Sequence, residues 1–136
     1  MLTLSKTRRE IRMIVLQVLC ESDTVSHDAK DVLTRVVSEQ SVRAEESKFA
    51  YQLVQNVLEN IPELDNIIEE YATAWPISQM PIVDKNLLRM AIAEMQFGID
   101  VPQGAVVNEV VEIAKIFGSE SSPGFINGVL GSLLDR

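Results

Sequence analysis

Four cations and one carboxylate crowd residues 6–12: Lys6, Arg8, Arg9, Glu10 and Arg12. A guanidinium grips a phosphate with two parallel N–H donors and stacks on a base. The segment therefore has the chemistry of a contact to single-stranded nucleic acid. Side-chain charge sums to +3 over residues 1–20 and to −11 over the rest, in a chain whose net charge is −8. An acidic body repels a polyanion, so a contact made here would be local and strongly salt-dependent.

Other chemistry is scarce. One cysteine, Cys20, and one histidine, His27, allow neither an internal disulfide nor a Cys/His metal cluster. Any Ser-His-Asp or Cys-His site would have to use His27, which lies in the polar stretch ESDTVSHDAK and reads as an exposed loop residue. The glycines are scattered, without a phosphate-cradling loop. No catalytic residue, metal or cofactor is expected, and no enzyme.

The elements that must carry the cations are helices. Apolar residues recur at spacings of three and four along nearly the whole chain, and no segment alternates as an exposed strand does. Seven helices are predicted, in an all-α fold. The first spans 6–21, capped by Ser5, with Ile11, Ile14, Val15, Val18 and Leu19 on its inner face. The second covers 28–40 and the third begins near 44. In NIPELD, Asn60 caps the fourth, with Pro62 in its first turn and Glu63 three residues after the cap; its inner face carries Leu64, Ile67, Ile68, Tyr71 and Ala72 and extends to Trp75. The fifth, 82–97, is apolar on most sides and should be central. After the break GIDVPQG comes the sixth, ending at Phe117 with Gly118 as its C-terminal glycine. Ser122 caps the seventh, whose apolar pattern passes through Asn127-Gly128 and implies a tight contact at Gly128. The two prolines of WPISQMP suggest packed subdomains of about 1–75 and 76–136. No apolar run approaches the roughly 20 residues needed to span a bilayer, and no signal peptide is seen, so a cytoplasmic protein is expected.

On the first helix, Arg9, Met13, Leu16 and Cys20 form a second stripe beside the core face, with Arg12 next to it. Three readings stay open for it: packing within the chain, a nucleic-acid surface, or the seam of a homodimer.

Several motifs then occur in order: RREIRMIVLQVL, LDNIIEEYATAW, VDKNLLRMAIAEM, VVNEVVEIAKIFGSE and FINGVLGSLL. Together they resemble the bacterial transcription antitermination factor family NusB over essentially the whole chain. The resemblance implies a seven-helix fold of two subdomains and no catalysis. It implies binding of BoxA-type single-stranded RNA together with NusE, a ribosomal protein of the small subunit. It further implies entry into an antitermination complex on RNA polymerase, notably on ribosomal RNA operons. Lys6, Arg8, Arg9 and Arg12 match the family's arginine-rich RNA segment. Ser119, Glu120, Ser121 and Phe125 match its second RNA segment, where Phe125 is either a stacking face or an ordinary core residue. Asp84 matches acidic positions that face NusE, or is a solvated carboxylate at a helix start. Glu94, Asn108, Glu109 and Asn127 also match and read as structural. An acidic body suits a basic partner. Cys20 stands where an aromatic is common, Met13 where an acid is, Gly124 where a lysine is, and Gly131 where an aspartate is. These departures predict weaker RNA binding or a different RNA sequence, and they favour self-association. A homodimeric interaction scaffold with weak or no RNA binding is the alternative. NusB-like domains also occur fused to RNA methyltransferases, but this chain has no cofactor-binding region.

Overall fold

The computed structural model describes residues 5–98 and 101–135. Residues 1–4, whose order the sequence leaves open, and residues 99 and 100 of the expected break lie outside them. Among the described residues seven α-helices follow one another: α1 (Arg8–Val25), α2 (Ala29–Glu39), α3 (Ala44–Glu59), α4 (Ile61–Tyr71), α5 (Ile82–Phe97), α6 (Gln103–Phe117) and α7 (Ser122–Leu134). One 3₁₀ turn, Ile77–Gln79, sits in the double-proline connection. There is no strand among the described residues.

Helix α1 starts two residues later than expected because Thr7, not Ser5, caps it. The Thr7 hydroxyl accepts from the Glu10 N–H at 3.1 Å, and the Glu10 carboxylate accepts from the Thr7 N–H at 2.9 Å. This reciprocal pair satisfies two orphan donors at once. The helix then runs through the polar stretch after Cys20 and stops where Ser26 turns left-handed, at φ 59°. Asp28 caps α2 by accepting from the N–H groups of Lys30 and Asp31. Asn60 precedes α4 without capping it, because its side-chain amide donates back to the Asn56 carbonyl at 2.8 Å. Helix α4 ends at Tyr71, and Trp75 follows beyond it.

The chain divides into two compact units, residues 1–55 and 56–136. The division falls within α3, ahead of the expected one near 76, because α4 packs on α5 and α7. In the first unit α1 lies against α2, burying Ile11, Ile14, Val15, Val18 and Leu19 of one and Val32, Leu33 and Val36 of the other. In the second, α5 packs against α4, α6 and α7. Its Leu87, Leu88, Ala91, Ile92 and Ala93 are fully buried, as a helix apolar on most sides requires. Truncating one such Leu or Ile to Ala typically costs about 2–5 kcal/mol. Helix α7 does run through Asn127-Gly128, but Gly128 is exposed and a methyl group there would meet nothing within 4 Å. The expected tight contact is therefore absent.

Candidate nucleic-acid interface

Two of the four N-terminal cations, Arg8 and Arg12, meet one ring of α3. The Arg8 guanidinium lies over Phe49, 3.9 Å from the ring centroid, and that of Arg12 lies 5.7 Å away. Phe49 is half-buried and Arg8 exposed. A cation over an aromatic face is held by the ring quadrupole while its edge N–H donors stay available. The Lys6 backbone N–H donates to Glu46 Oε1 at 3.0 Å, tying the segment before α1 to α3. The Thr7 N–H and hydroxyl hold the Glu10 carboxyl below its usual pKa, so it stays ionised as the cap. The four cations differ in access. Arg8 is exposed, Lys6 and Arg9 are half-buried, and Arg12 is only 8% exposed. Arg12 thus belongs to the packing of this corner more than to its outer surface.

The second stripe of α1 is not an open apolar face. Leu16 is 2% exposed and belongs to the core, while Arg9, Met13 and Cys20 are half-buried. What periodicity reads as a surface ridge is largely covered, as the reading of packing within the chain expects, and its basic end is no more open than Met13 and Cys20.

The second unit carries the other expected residues. Ser119, Glu120 and Ser121 are exposed in the turn between α6 and α7. Phe125 is half-buried, its ring edge-on to Trp75 with centroids 5.2 Å apart and planes at 70°. An edge-to-face pair leaves part of each ring's surface for other contacts. Ser122, expected to cap α7, is its first residue and fully buried. Its hydroxyl donates to Asp84 Oδ1 at 2.7 Å and accepts from the Ser119 N–H at 2.9 Å. Gly118 permits this. Its φ of −88° is ordinary, but a Cβ there would stand 2.5 Å from Ser122 Cβ and 2.8 Å from the Ala114 carbonyl oxygen. The glycine serves close approach, not a left-handed turn.

Asp84 is neither solvated nor facing outward. It is 1% exposed, and burial pushes its carboxyl pKa up against the opposing hydrogen bond from Ser122. Arg89, which sequence reasoning missed, lies one and a half turns further along α5. Its Nε and Nη2 grip the two Asp65 oxygens of α4 at 2.7 and 2.8 Å. The signal was an arginine flanked by Leu88 and Met90 on an apolar helix, a residue type seldom buried unless paired. Of the remaining motif positions Glu94 is buried, Glu109 half-buried, and Asn108 and Asn127 exposed. His27 is an exposed loop residue beside Glu21, whose carboxyl is held low first by Arg35 and then by His27. No group of three or more His, Cys, Asp or Glu among the described residues is placed to hold a metal. No helix among them is long and apolar enough to cross a membrane.

A family model described as the NusB family matches residues 7–135. The chain belongs to the NusB family. A transcription antitermination protein NusB of Dehalococcoides mccartyi (strain CBDB1) is 43% identical over 130 residues, covering 96% of this chain and 91% of its own. A solved NusB of T. maritima superposes with a TM-score of 0.90 at 28% identity, over 98% of this chain and 94% of that one. A crystal structure of antitermination factors NusB and NusE in complex with double-stranded RNA gives a TM-score of 0.85 at 27% identity, over 94% of this chain and 96% of that one. As a member of this family the chain is a transcription antitermination factor rather than an enzyme, and its described residues have the all-helical fold that its motifs imply.

Proposed function

We propose that this protein binds BoxA-type single-stranded RNA together with NusE, joins the antitermination complex on RNA polymerase in the cytoplasm, and suppresses termination, notably on ribosomal RNA operons. The observation that carries this is the exposed Arg8 guanidinium over Phe49 at the basic end of an acidic chain. The ring fixes the plane of the cation, so its N–H donors need little ordering when a phosphate arrives. Lys6 and Arg9 extend the local positive field, which steers a polyanion to this corner and away from the acidic remainder. The negative surface elsewhere favours a basic protein partner, and the NusB–NusE–RNA crystal structure of a relative supports NusE as that partner. Phe125 and Ser121 would provide a second RNA contact, with base stacking worth about 1–3 kcal/mol where it forms. Asp84 would influence the partner surface from beneath rather than touch it.

Fluorescence anisotropy with labelled RNA tests the proposal. A BoxA-like RNA should bind more tightly than a scrambled one, more tightly again with NusE present, and more weakly as salt rises. Equal affinity for both RNAs, with and without NusE, would overturn it in favour of an interaction scaffold.

A further inference from the structure

The serine turn before α7 has a direction that hydrogen-bond counting fixes. A serine hydroxyl holds one hydrogen and two lone pairs, and an ionised carboxylate only accepts. The Ser122 hydrogen goes to Asp84 Oδ1 at 2.7 Å. Ser122 Oγ lies 3.1 Å from Ser119 Oγ and, its hydrogen spent, can only accept there. Ser119 therefore donates, and its own hydrogen is used. Ser119 Oγ lies 3.2 Å from Ser121 Oγ, so there Ser121 must be the donor. All three hydroxyl hydrogens point along one chain towards the buried carboxylate. Ser119 and Ser121 are exposed, and with their hydrogens so used each keeps at least one lone pair that this chain does not occupy.

We infer that Asp84 is a positioning residue that polarises this turn, so that Ser121 and Ser119 take an N–H or O–H donor of bound RNA rather than a phosphate. The donor is a base amino group or a ribose 2′-hydroxyl. The inference rests on the RNA-binding reading above and assigns the chemistry of one of its contacts. A bare helix N-terminus would favour the opposite ligand, a phosphate. The two alternatives therefore make opposed predictions.

The test is a set of double-mutant cycles with the full chain, NusE and a BoxA-like RNA. Each nucleotide is replaced in turn by its 2′-deoxy form, by an analogue lacking the exocyclic amino group, or by a methylphosphonate linkage. One donor deletion should weaken binding to the unaltered protein about threefold to tenfold and have no further effect on Ser121→Ala. Which deletion it is distinguishes ribose from base. Methylphosphonates should weaken both proteins equally. In Asp84→Ala the coupling between Ser121 and that donor should vanish while methylphosphonate effects persist, a pattern that general loosening of the fold would not produce. Should Asp84→Ala fail to fold, Ser122→Ala breaks the same chain and is read in the same way. Coupling of Ser121 to a methylphosphonate, or to no modification while BoxA preference is retained, overturns the inference and leaves the RNA-binding reading standing. Donor coupling that survives in a folded Asp84→Ala or Ser122→Ala removes the role of Asp84. Loss of BoxA preference in the unaltered protein removes both readings together.

Discussion

Replacing Lys6 and Arg8 with Ala offers a quantitative test of the basic corner, because salt dependence counts phosphates. Each phosphate neutralised on a single strand contributes about −0.7 to the slope of log K against log salt. Raising salt from about 50 to about 200 mM then weakens binding by about 2.6-fold per contact, and by about sevenfold for two. Anisotropy titrations across that range, with NusE present, should give a slope shallower by about 0.7 for Arg8→Ala and by about 1.4 for the double variant. Stability should hardly move. Arg8 is exposed, and a cation–aromatic contact at an exposed site contributes at most about 1 kcal/mol. The backbone N–H of Lys6, which makes the bond to Glu46, survives the substitution. Arg12→Ala is the contrast. At 8% exposure it should lower stability by about 1–3 kcal/mol, read as a melting temperature lower by several degrees. Parallel salt slopes for the double variant and the unaltered protein would refute the assignment of these cations to phosphate.

Three further outcomes follow from packing and charge. Asp65→Ala should lower unfolding free energy in urea by about 2–4 kcal/mol. It removes the two-pronged carboxylate partner of the nearly buried Arg89 guanidinium, which keeps Asn86 Oδ1 at 3.4 Å, and the partial exposure of Asp65 places the cost towards the lower end for a broken buried pair. Gly128→Ala should raise stability by about 0.5–1 kcal/mol in the same assay, since the added methyl meets nothing and the helix loses a glycine. The Asp84 carboxyl has its folded pKa raised above the unfolded value, so its charge disfavours folding at neutral pH, and this penalty fades as pH falls through the folded and then the unfolded pKa. Asp84→Asn should therefore show its greatest stability relative to the unaltered protein at neutral pH, the difference declining in acid; a difference independent of pH would contradict the burial argument.

The helices themselves were legible because apolar spacing and breakers agree. Helix α5 begins and ends where the sequence predicts, bounded by Pro81 and Gly98, and α6 ends at Phe117. Caps were less so, since competing polar residues lie one or two positions apart. The motif TRRE held the true start of α1, but Ser5 offers the same chemistry two residues earlier. Gly118 shows the same ambiguity, because a glycine after a helix serves either backbone freedom or close approach, and only coordinates distinguish them. Periodicity places Leu16 and Arg12 beside the core stripe, but it carries no information on what lies against them. Asp84 and Arg89 mark the other boundary. Each is an oddity on an apolar helix, and each is explained by a partner on another helix, Ser122 or Asp65. The proposed RNA segments rest on family motifs, and the direction of the serine chain needed atomic distances.

The chain has a single tryptophan, and Trp75 sits edge-on to Phe125, the last residue of the proposed second RNA segment. Selectively excited indole emission therefore originates from one address, next to a ring proposed to meet a base. The unlabelled protein carries its own optical gauge: a nucleobase reaching Phe125 should quench that light.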